Sequence, residues 1–307
     1  MNTTSQDINK FKSLLQQKLT DKSFSSVTTP ERANTSSLVF TSSVAMTQTA
    51  LQNGATGFIV LEKIYDDVKG LFLDHHCVWT TKDLKAAMSE VLTAFDRIPH
   101  TIGVHPSAIV HPTAQIGAHV RIGEYAVIKD HVVIGDYTYI AAHVVVESFC
   151  EIGAHCRIAS HTTIGSDGFG YYTDKTFTHH KIPQIGQVVI EDHCELGSHC
   201  SVDRATLTET RIKAGSKLDN FCHVAHNCEI GENSILAAGF MTAGSTVTGK
   251  NLMTAGGVHL NGHIKITDNV IFAGNAGVVS DVDKPGVYGG YPQVPQKDNL
   301  RIMSSLA

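Results

Sequence analysis

The chain has 307 residues, of which 42% are hydrophobic and 17% are charged, a composition ordinary for a soluble protein with one or two domains. Its formal net charge of -5 argues against nucleic acid as the main partner, because nucleic-acid-binding surfaces are basic. The N-terminus lacks a basic segment followed by an apolar run, and no stretch approaches the roughly 18 consecutive apolar residues of a transmembrane helix. We therefore expect a cytoplasmic protein without a transmembrane segment.

Residues 1–98 show no six-residue repeat and are predicted to form a separate small α/β domain. Its expected elements follow from apolar spacing, which is helical in some segments and continuous in others. They are a helix over residues 8–19, strands over 38–41 and 57–61, and a second helix over 82–95.

From Val104 onward an aliphatic residue returns at every sixth position, and two further registers begin at Ile190 and Ile212. A helix repeats near 3.6 residues and a half-buried strand at 2, so a period of six requires a short strand plus a turn. Such a unit cannot bury its apolar face alone, so successive coils must stack. Residues 99–283 are therefore predicted to form a parallel β-helix, followed by an irregular C-terminal cap and short tail over 284–307. The first register consists of Val104, Val110, Ile116, Ile122, Ile128, Ile134, Ile140, Val146, Ile152, Ile158 and Ile164.

Two insertions break the six-residue phase. One lies between Ile164 and Ile190 and contains the glycine-rich and aromatic segment 165–172. A shorter one lies between Val202 and Ile212. Insertions in a repeat array usually lie on its binding face, so both mark a candidate site.

Six of the 7 cysteines share one place in the repeat, four positions after the aliphatic residue, where other hexads have alanine or threonine. No Cys-x-x-Cys spacing occurs. We therefore predict that they are small core residues rather than disulfide partners or zinc ligands. They are Cys150, Cys156, Cys194, Cys200, Cys222 and Cys228.

Seven of the 18 histidines also have an ordinary explanation, since they fall three positions after the aliphatic residue, at the predicted turn. His226 differs, because it lies two positions after Val224, in a flatter part of the hexad. A surface role remains the commoner explanation for any single histidine of a repeat. The histidines predicted to lie at turns are His119, His131, His143, His155, His161, His193 and His199.

Three further residues favour a catalytic role for His226 over an ordinary surface role. Gly244 follows it by eighteen positions, so in a coil of that length it would stack over His226 at about 4.8 Å, with its N–H beside the imidazole. That pair resembles a general base next to an oxyanion hole. Asp219 precedes His226 by seven positions in nearly the same coil and could orient the imidazole. His263 follows His226 by 37 positions, which is two such coils plus one residue, so it would lie at the same edge.

Four segments carry a more specific resemblance: Gly165-Ser-Asp-Gly-Phe-Gly-Tyr171, Lys181-Ile-Pro-Gln-Ile-Gly186, Leu218-Asp-Asn-Phe-Cys-His-Val-Ala-His-Asn227 and Leu260-Asn-Gly-His263. Together they are similar to the UDP-3-O-acylglucosamine N-acyltransferase family of hexapeptide-repeat enzymes. The resemblance implies left-handed, triangular coils of eighteen residues and a homotrimer with an active site at each subunit interface. It also implies transfer of an R-3-hydroxyacyl chain from acyl carrier protein to the 2-amino group of a UDP-glucosamine in the lipid A synthesis of a Gram-negative bacterium.

The resemblance also assigns roles to the singled-out residues. His226 matches the general base, Asp219 its orienting partner and Gly244 the oxyanion donor. His263 matches a second active-site histidine that contacts substrate or the pantetheine arm. No metal and no cofactor are implied, because the phosphopantetheine is carried by the acyl carrier protein.

Further substrate contacts follow from the same resemblance. Asp167, Phe169 and Tyr171 match the interface loop that walls the sugar and acyl site, and Asn227 lies within the motif around His226. In the N-terminal domain, Phe40 matches the aromatic residue that stacks on uracil, although a core position in a strand is an alternative for it.

Three other functions stay open. The chain could be another UDP-sugar O- or N-acyltransferase of the same fold, which the Asp167 loop and the long N-terminal domain disfavour. A zinc enzyme of the carbonic anhydrase type would need histidines converging on one metal. A non-catalytic scaffold is the third alternative, because Ser43 and Met46 stand where the family has the asparagine and tyrosine of its uracil site.

Overall fold

The computed structural model describes residues 3–95 and 101–306. The chain divides into two compact units, Met1–Pro99 and His100–Ala307. The boundary predicted between residues 98 and 99 lies outside the described ranges. Within those ranges, no helix is long and apolar enough to cross a membrane.

The first unit is a five-stranded sheet with an apolar cluster on each side. One cluster includes Ala87 and Val91 of the last helix, and the other includes Ala50 and Val68 of the two middle helices. In spatial order the strands are Leu15–Lys18, Cys77–Thr81, Gly57–Leu61, Ser37–Thr41 and Ser26–Thr28, of which only the first runs antiparallel to its neighbour. A separate antiparallel pair joins Thr3–Thr4 and Ser23–Phe24; the helices are Ser5–Ile8, Val44–Gln52, Glu62–Val68 and Leu84–Thr93, with 3₁₀ turns at Pro30–Arg32 and Lys69–Leu71.

Both strands predicted in this unit are confirmed, and so is the helix predicted over 82–95, which the structure has as Leu84–Thr93. Asp83 caps that helix, because its Oδ1 accepts hydrogen bonds from the N–H groups of Lys85 and Ala86 at 2.8 and 3.2 Å.

The helix predicted over 8–19 is wrong. The helix ends at Ile8, and Leu15–Lys18 instead pairs antiparallel with Cys77–Thr81 at the sheet edge. Leu15 is 62% exposed, so its helical spacing from Ile8 does not mark a common buried face. Backbone pairing with the sheet therefore overrides the local apolar period.

The second unit is a parallel β-helix with three faces, which we number first, second and third in the order in which the chain reaches them. The strands of the first face are Gly103–Val104, Arg121–Ile122, Tyr139–Ile140, Arg157–Ile158, Glu195–Leu196, Lys217–Leu218, Ile235–Leu236, Met253–Thr254, Val270–Phe272, Gly286–Gly289 and Val294–Pro295. Those of the second face are Ile109–Val110, Val127–Ile128, Val145–Val146, Thr163–Ser166, Ser201–Asp203, His223–Val224, Met241–Thr242, His259–Leu260 and Gly277–Val278. Those of the third face are Gln115–Ile116, Val133–Ile134, Glu151–Ile152, Gln187–Ile190, Glu209–Ile212, Glu229–Ile230, Val247–Thr248 and Lys265–Ile266.

From Ile122 onward the aliphatic residues of the hexads point into a continuous apolar column, whereas Val104 in the first coil is 50% exposed. Ile122 pairs with Ile140, which pairs with Ile158, so the register advances by one eighteen-residue coil at each step. All three side chains are at most 1% exposed. Each buried isoleucine contributes about 2 kcal/mol of transfer free energy, and this column is what makes the six-residue period necessary.

The seven turn histidines lie at the corners of the coils, as predicted. All of them adopt left-handed backbone conformations, with φ between 55° and 64°. Some form stacks along an edge: the ring centroids of His143 and His161, and those of His161 and His199, are 4.9 Å apart. Their place in the repeat therefore explains these histidines as part of the turns.

The cysteine prediction is also confirmed. All seven cysteines are free and buried, and the six in the repeat belong to the central apolar column. Burial raises the pKa of the Cys150 thiol to about 11, so this side chain stays a neutral, apolar filler at physiological pH.

Both insertions leave the solenoid at the edge between the second and third faces. The larger one forms a hairpin of Tyr171–Thr173 with His179–Lys181, and the phase then resumes with Ile190 paired to Ile152. The shorter one precedes Glu209–Ile212. One edge of the prism therefore carries both departures from the repeat.

The C-terminal segment, expected to be irregular, contains regular structure. Gly286–Gly289 pairs parallel with Val270–Phe272 and so adds a further strand to the first face. Val294–Pro295 then pairs antiparallel with it, and the helix Gln296–Leu306 follows. The six-residue period does not reveal this strand, because backbone pairing and the packing of Tyr288 against Phe272 hold it in place.

Candidate functional site

His226 lies in the turn that follows His223–Val224, at the edge between the second and third faces, which we call the His226 corner. The expectation that it lies in a flatter part of the hexad is therefore wrong, because the chain already turns two positions after the aliphatic residue. Its side chain is half-buried. Both insertions leave the solenoid at this corner, so the histidine that the repeat singled out is next to the two irregular segments of the chain.

Two glycines enclose the imidazole. A Cβ atom on Gly244 would lie 2.5 Å from Cε1 and 2.8 Å from Nε2 of His226, so Gly244 stacks on the ring, one coil further along, as expected. A Cβ on Gly168, in the larger insertion, would lie 2.6 Å from the Cβ of His226. Only glycine fits at either position without displacing the ring. Within residues 3–95 and 101–306 no acceptor takes the Gly244 N–H, so it is available to an outside group.

Asn227 contacts the same imidazole. Its Nδ2 lies 2.9 Å from Nδ1 of His226, and its Oδ1 accepts a hydrogen bond from the N–H of Thr206 at 2.9 Å. The backbone N–H of Asn227 donates to Oγ1 of Thr210 at 2.8 Å. Asn227, expected to contact substrate, is therefore tied to the imidazole and to the shorter insertion.

Asp219 lies at a different corner, between the first and second faces, which we call the Asp219 corner. It is exposed, and its Oδ1 accepts from the N–H of Asn220 at 2.7 Å. No hydrogen bond or ion pair joins Asp219 to His226 among the described residues of a single chain. A groove of about 410 Å³, lined by Tyr139 and Arg157 among others, lies beside Asp219.

His263 lies at the His226 corner, two coils further along. It is exposed, has a left-handed φ of 59°, and donates its backbone N–H to the carbonyl oxygen of Gly244 at 3.0 Å. It therefore occupies the expected edge, in a turn conformation like that of the other corner histidines.

The larger insertion presents the three predicted loop residues at its surface. Asp167 forms an ion pair with Lys181 across the base of the hairpin. Phe169 and Tyr171 are exposed, and their ring centroids are 5.1 Å apart. Two neighbouring exposed aromatic rings form an apolar surface that a substrate or a second chain could cover.

Phe40 lies in the N-terminal unit, where it is 8% exposed and packs in one of the two apolar clusters. Ser43 is the N-cap of the helix Val44–Gln52, because its Oγ accepts from the N–H of Met46 at 3.2 Å. This environment is that of a core aromatic residue, the alternative considered for Phe40.

Asp203 is a residue of this site that the sequence did not indicate. It is 7% exposed, and the pairing of Val202 with Val224 places it beside the strand that leads to His226. Its Oδ1 accepts from Oγ of Ser166 at 2.8 Å, and its Oδ2 lies 3.7 Å from Nε2 of His223. Burial raises the pKa of the Asp203 carboxyl, although the Ser166 hydrogen bond and the nearby His223 and His226 oppose this.

We predict that Asp203→Asn makes the folded protein more stable at pH 7, because it removes the cost of burying a charged carboxylate. The folded-state pKa lies above the ordinary value of 3.8, so this carboxyl reduces stability progressively as the pH rises from that value through the folded-state pKa. The variant removes that cost and keeps an acceptor for Ser166. Urea denaturation between pH 4 and 8 should show a flatter profile, with exposed Asp283→Asn as the unchanged control. A less stable variant at pH 7 would contradict this interpretation.

Comparisons with known proteins agree with this geometry. The bacterial transferase hexapeptide family model (six repeats) matches residues 131–166 and 209–239. The chain is 39% identical over 143 residues to the UDP-3-O-acylglucosamine N-acyltransferase of Campylobacter lari, covering 47% of this chain and 45% of the relative. It is 40% identical over 230 residues to that of Bordetella pertussis, covering 67% and 63%. The chain thus spans less than two thirds of the length of these curated relatives.

Solved structures show the same architecture. LpxA from Acinetobacter baumannii superposes with a TM-score of 0.57 and 26% identity, covering 65% of this chain and 77% of that one. The UDP-N-acetylglucosamine acyltransferase from Campylobacter jejuni superposes with a TM-score of 0.57 and 25% identity, covering 62% and 73%. The chain is therefore a hexapeptide-repeat protein, a left-handed parallel β-helix preceded by a small α/β unit, and it is similar to the UDP-3-O-acylglucosamine N-acyltransferases.

Proposed function

We propose that the chain is an acyltransferase that moves an R-3-hydroxyacyl chain from acyl carrier protein to the 2-amino group of a UDP-3-O-acylglucosamine in lipid A biosynthesis. The observation that carries this proposal is the enclosure of His226 between Gly168 and Gly244, at the corner where both insertions leave. The names of the curated relatives supply the substrate class. A cytoplasmic location belongs to the same proposal, and the free, buried cysteines are consistent with it.

The reaction is an acyl transfer from sulfur to nitrogen. The amine nitrogen attacks the thioester carbonyl and forms the C–N bond, while His226 takes the proton that the nitrogen must lose. The carbonyl oxygen becomes an oxyanion, for which the free N–H of Gly244 is a ready donor. When the C–S bond breaks, the imidazolium returns the proton to the leaving pantetheine sulfur. No covalent acyl-enzyme is required, since the amine is itself the nucleophile.

Residues of this chain perform all of these steps, and the phosphopantetheine enters with the donor. No group of three or more histidine, cysteine or acidic side chains in the described part of the chain is arranged to hold a metal ion. The zinc alternative would therefore have to draw ligands from a second chain.

The separation of Asp219 from His226 favours a homotrimer in which each site is shared. In a cyclic trimer all chains lie at the same height along the axis, so the Asp219 corner of one chain can meet the His226 corner of its neighbour. Asp219 then orients the imidazole from the adjacent chain.

Mixed oligomers test this arrangement. We expect Asp219→Asn and His226→Ala to be inactive separately, whereas co-assembly of the two variants restores about a quarter of the sites by random mixing. Co-assembly of His226→Ala with Gly244→Ala is the matched control, because those residues share one chain and no intact site can form. Recovery in the control, or none in the test mixture, would contradict a shared site.

The activity is tested by the release of free thiol from hydroxyacyl carrier protein in the presence of either of two acceptors. We expect release with UDP-3-O-acylglucosamine and none with UDP-N-acetylglucosamine, which offers hydroxyl groups but no free amine. The reverse preference would identify an O-acyltransferase. A folded protein inactive with both acceptors would favour the scaffold, for which the buried Phe40 and the capping role of Ser43 are the supporting observations.

A further inference from the structure

The hydrogen bonds around Asn227 determine which nitrogen of His226 carries a proton. The N–H of Thr206 can only donate, so the atom of Asn227 that faces it at 2.9 Å must be the oxygen Oδ1. The amide nitrogen Nδ2 therefore faces Nδ1 of His226 at 2.9 Å. Because an amide nitrogen donates and does not accept, Nδ1 of the imidazole is the acceptor.

The rest of the network leads to the same orientation. Oγ1 of Thr206 donates to Oε1 of Gln184 at 3.0 Å, which leaves that hydroxyl free to accept the second N–H of Asn227 at 3.4 Å. Gln184 is 6% exposed, and its Nε2 donates to the carbonyl oxygen of Ile182 at 3.0 Å. A backbone donor at one end and a backbone acceptor at the other thus fix the direction of every hydrogen bond between them.

A neutral imidazole whose Nδ1 accepts a hydrogen bond carries its proton on Nε2. Nε2 is the ring nitrogen that Asn227 leaves free, so the proposed reaction needs Nε2 as its unprotonated base. We propose that Asn227 is a positioning residue that holds His226 in the Nε2–H tautomer in the substrate-free protein. Base catalysis begins only after this hydrogen bond is exchanged for a carboxylate that accepts from Nδ1–H. This last step rests on the proposed function, and Asp219 of a neighbouring copy is the carboxylate assigned to it.

The resting tautomer can be measured without any activity. The protein is labelled with ¹⁵N in its histidine rings, and the signals of His226 are identified as those lost in His226→Gln. At a pH where the ring is neutral, we expect a protonated Nε2 and an unprotonated Nδ1. Asn227→Asp places a carboxylate on Nδ1 and should reverse the two signals. Asn233→Asp is the matched control, since Asn233 has the same place in its hexad at another corner and a similar φ of 53°. A protonated Nδ1 in the unmodified protein would overturn the proposal, as would an unchanged tautomer in Asn227→Asp.

A kinetic experiment tests the exchange step. If Asp219 acts by taking over Nδ1–H, a carboxylate at position 227 makes it dispensable. We expect Asp219→Asn to lose activity. The double variant Asn227→Asp/Asp219→Asn should be at least about tenfold more active than Asp219→Asn, since an orienting carboxylate acts by fixing the tautomer of the imidazole. A double variant as inactive as Asp219→Asn would overturn the exchange step. If the unmodified protein lacks acyltransferase activity, the proposed function fails while the ring signals still decide the resting tautomer.

Discussion

Replacement of His226 by alanine is expected to lower kcat/KM for N-acylation by at least about a hundredfold, the usual scale of general base catalysis. The ring is half-buried and contacts Gly168, Gly244 and Asn227. None of these three residues has a basic side chain that could replace the imidazole. His226→Gln, which keeps a polar side chain of similar length but has no basic nitrogen, should be similarly impaired. Steady-state kinetics with hydroxyacyl carrier protein as donor measures both variants.

The matched control for this prediction is another corner histidine. His155 stacks between Tyr137 and His193 at the edge between the third and first faces, away from both the His226 and Asp219 corners. His155→Ala also removes a corner histidine, although an exposed one, and should keep its activity. If His226→Ala retained a rate within a few-fold of the unmodified protein, His226 would not be the base.

Gly244→Ala is expected to have the second largest effect. The new Cβ would lie 2.5 Å from Cε1 of His226, so the ring or the turn must move. Overpacking of this kind costs about 1–3 kcal/mol of folding free energy. Displacing the base and the free N–H together should also lower kcat by about a hundredfold or more. Thermal unfolding and steady-state kinetics on the same preparation separate the two effects.

Gly256→Ala is the control for this substitution. Gly256 occupies the same place in its hexad at the Asp219 side of the prism, but the atom nearest to a Cβ added there would be the carbonyl oxygen of Ala238, at 3.4 Å. It should fold with stability within about 0.5 kcal/mol of the parent, as expected for a substitution without a close contact. Full activity in Gly244→Ala would show that the close approach of this glycine to the imidazole has no catalytic purpose.

The six-residue period predicted a stacked parallel β-helix because it reports a local repeat, whereas the three faces and the eighteen-residue coil came from the family resemblance and are confirmed by the strand register. This made the buried cysteines and the turn histidines interpretable from the sequence. Together with the eighteen-residue coil of the resemblance, the period also placed Gly244 over His226, because no insertion lies between these two residues.

The six-residue period did not predict the contacts at the two insertions, where the repeat is interrupted. The contacts of Ser166 with Asp203, Gly168 with His226, and Thr206 with Asn227 all involve an insertion whose path the repeat does not determine. No sequence pattern therefore indicated the buried carboxylate or the network that orients the imidazole.

Asp219 shows a second limit of sequence spacing. Asp219 precedes His226 by seven positions, which is slightly more than one face of the coil. The two residues are therefore close in the sequence but lie at different edges of the triangular prism. Spacing identified both residues correctly as members of one coil but did not show that no hydrogen bond joins them among the described residues of a single chain.

The most direct test of the central claim is identification of the product formed from an acceptor labelled with ¹⁵N at its 2-amino group. With hydroxyacyl carrier protein as donor, the protein should form an amide whose carbonyl carbon is bonded to the labelled nitrogen, and His226→Gln should form almost none. An acyl chain attached through oxygen, or an amide formed equally fast by His226→Gln, would contradict the account.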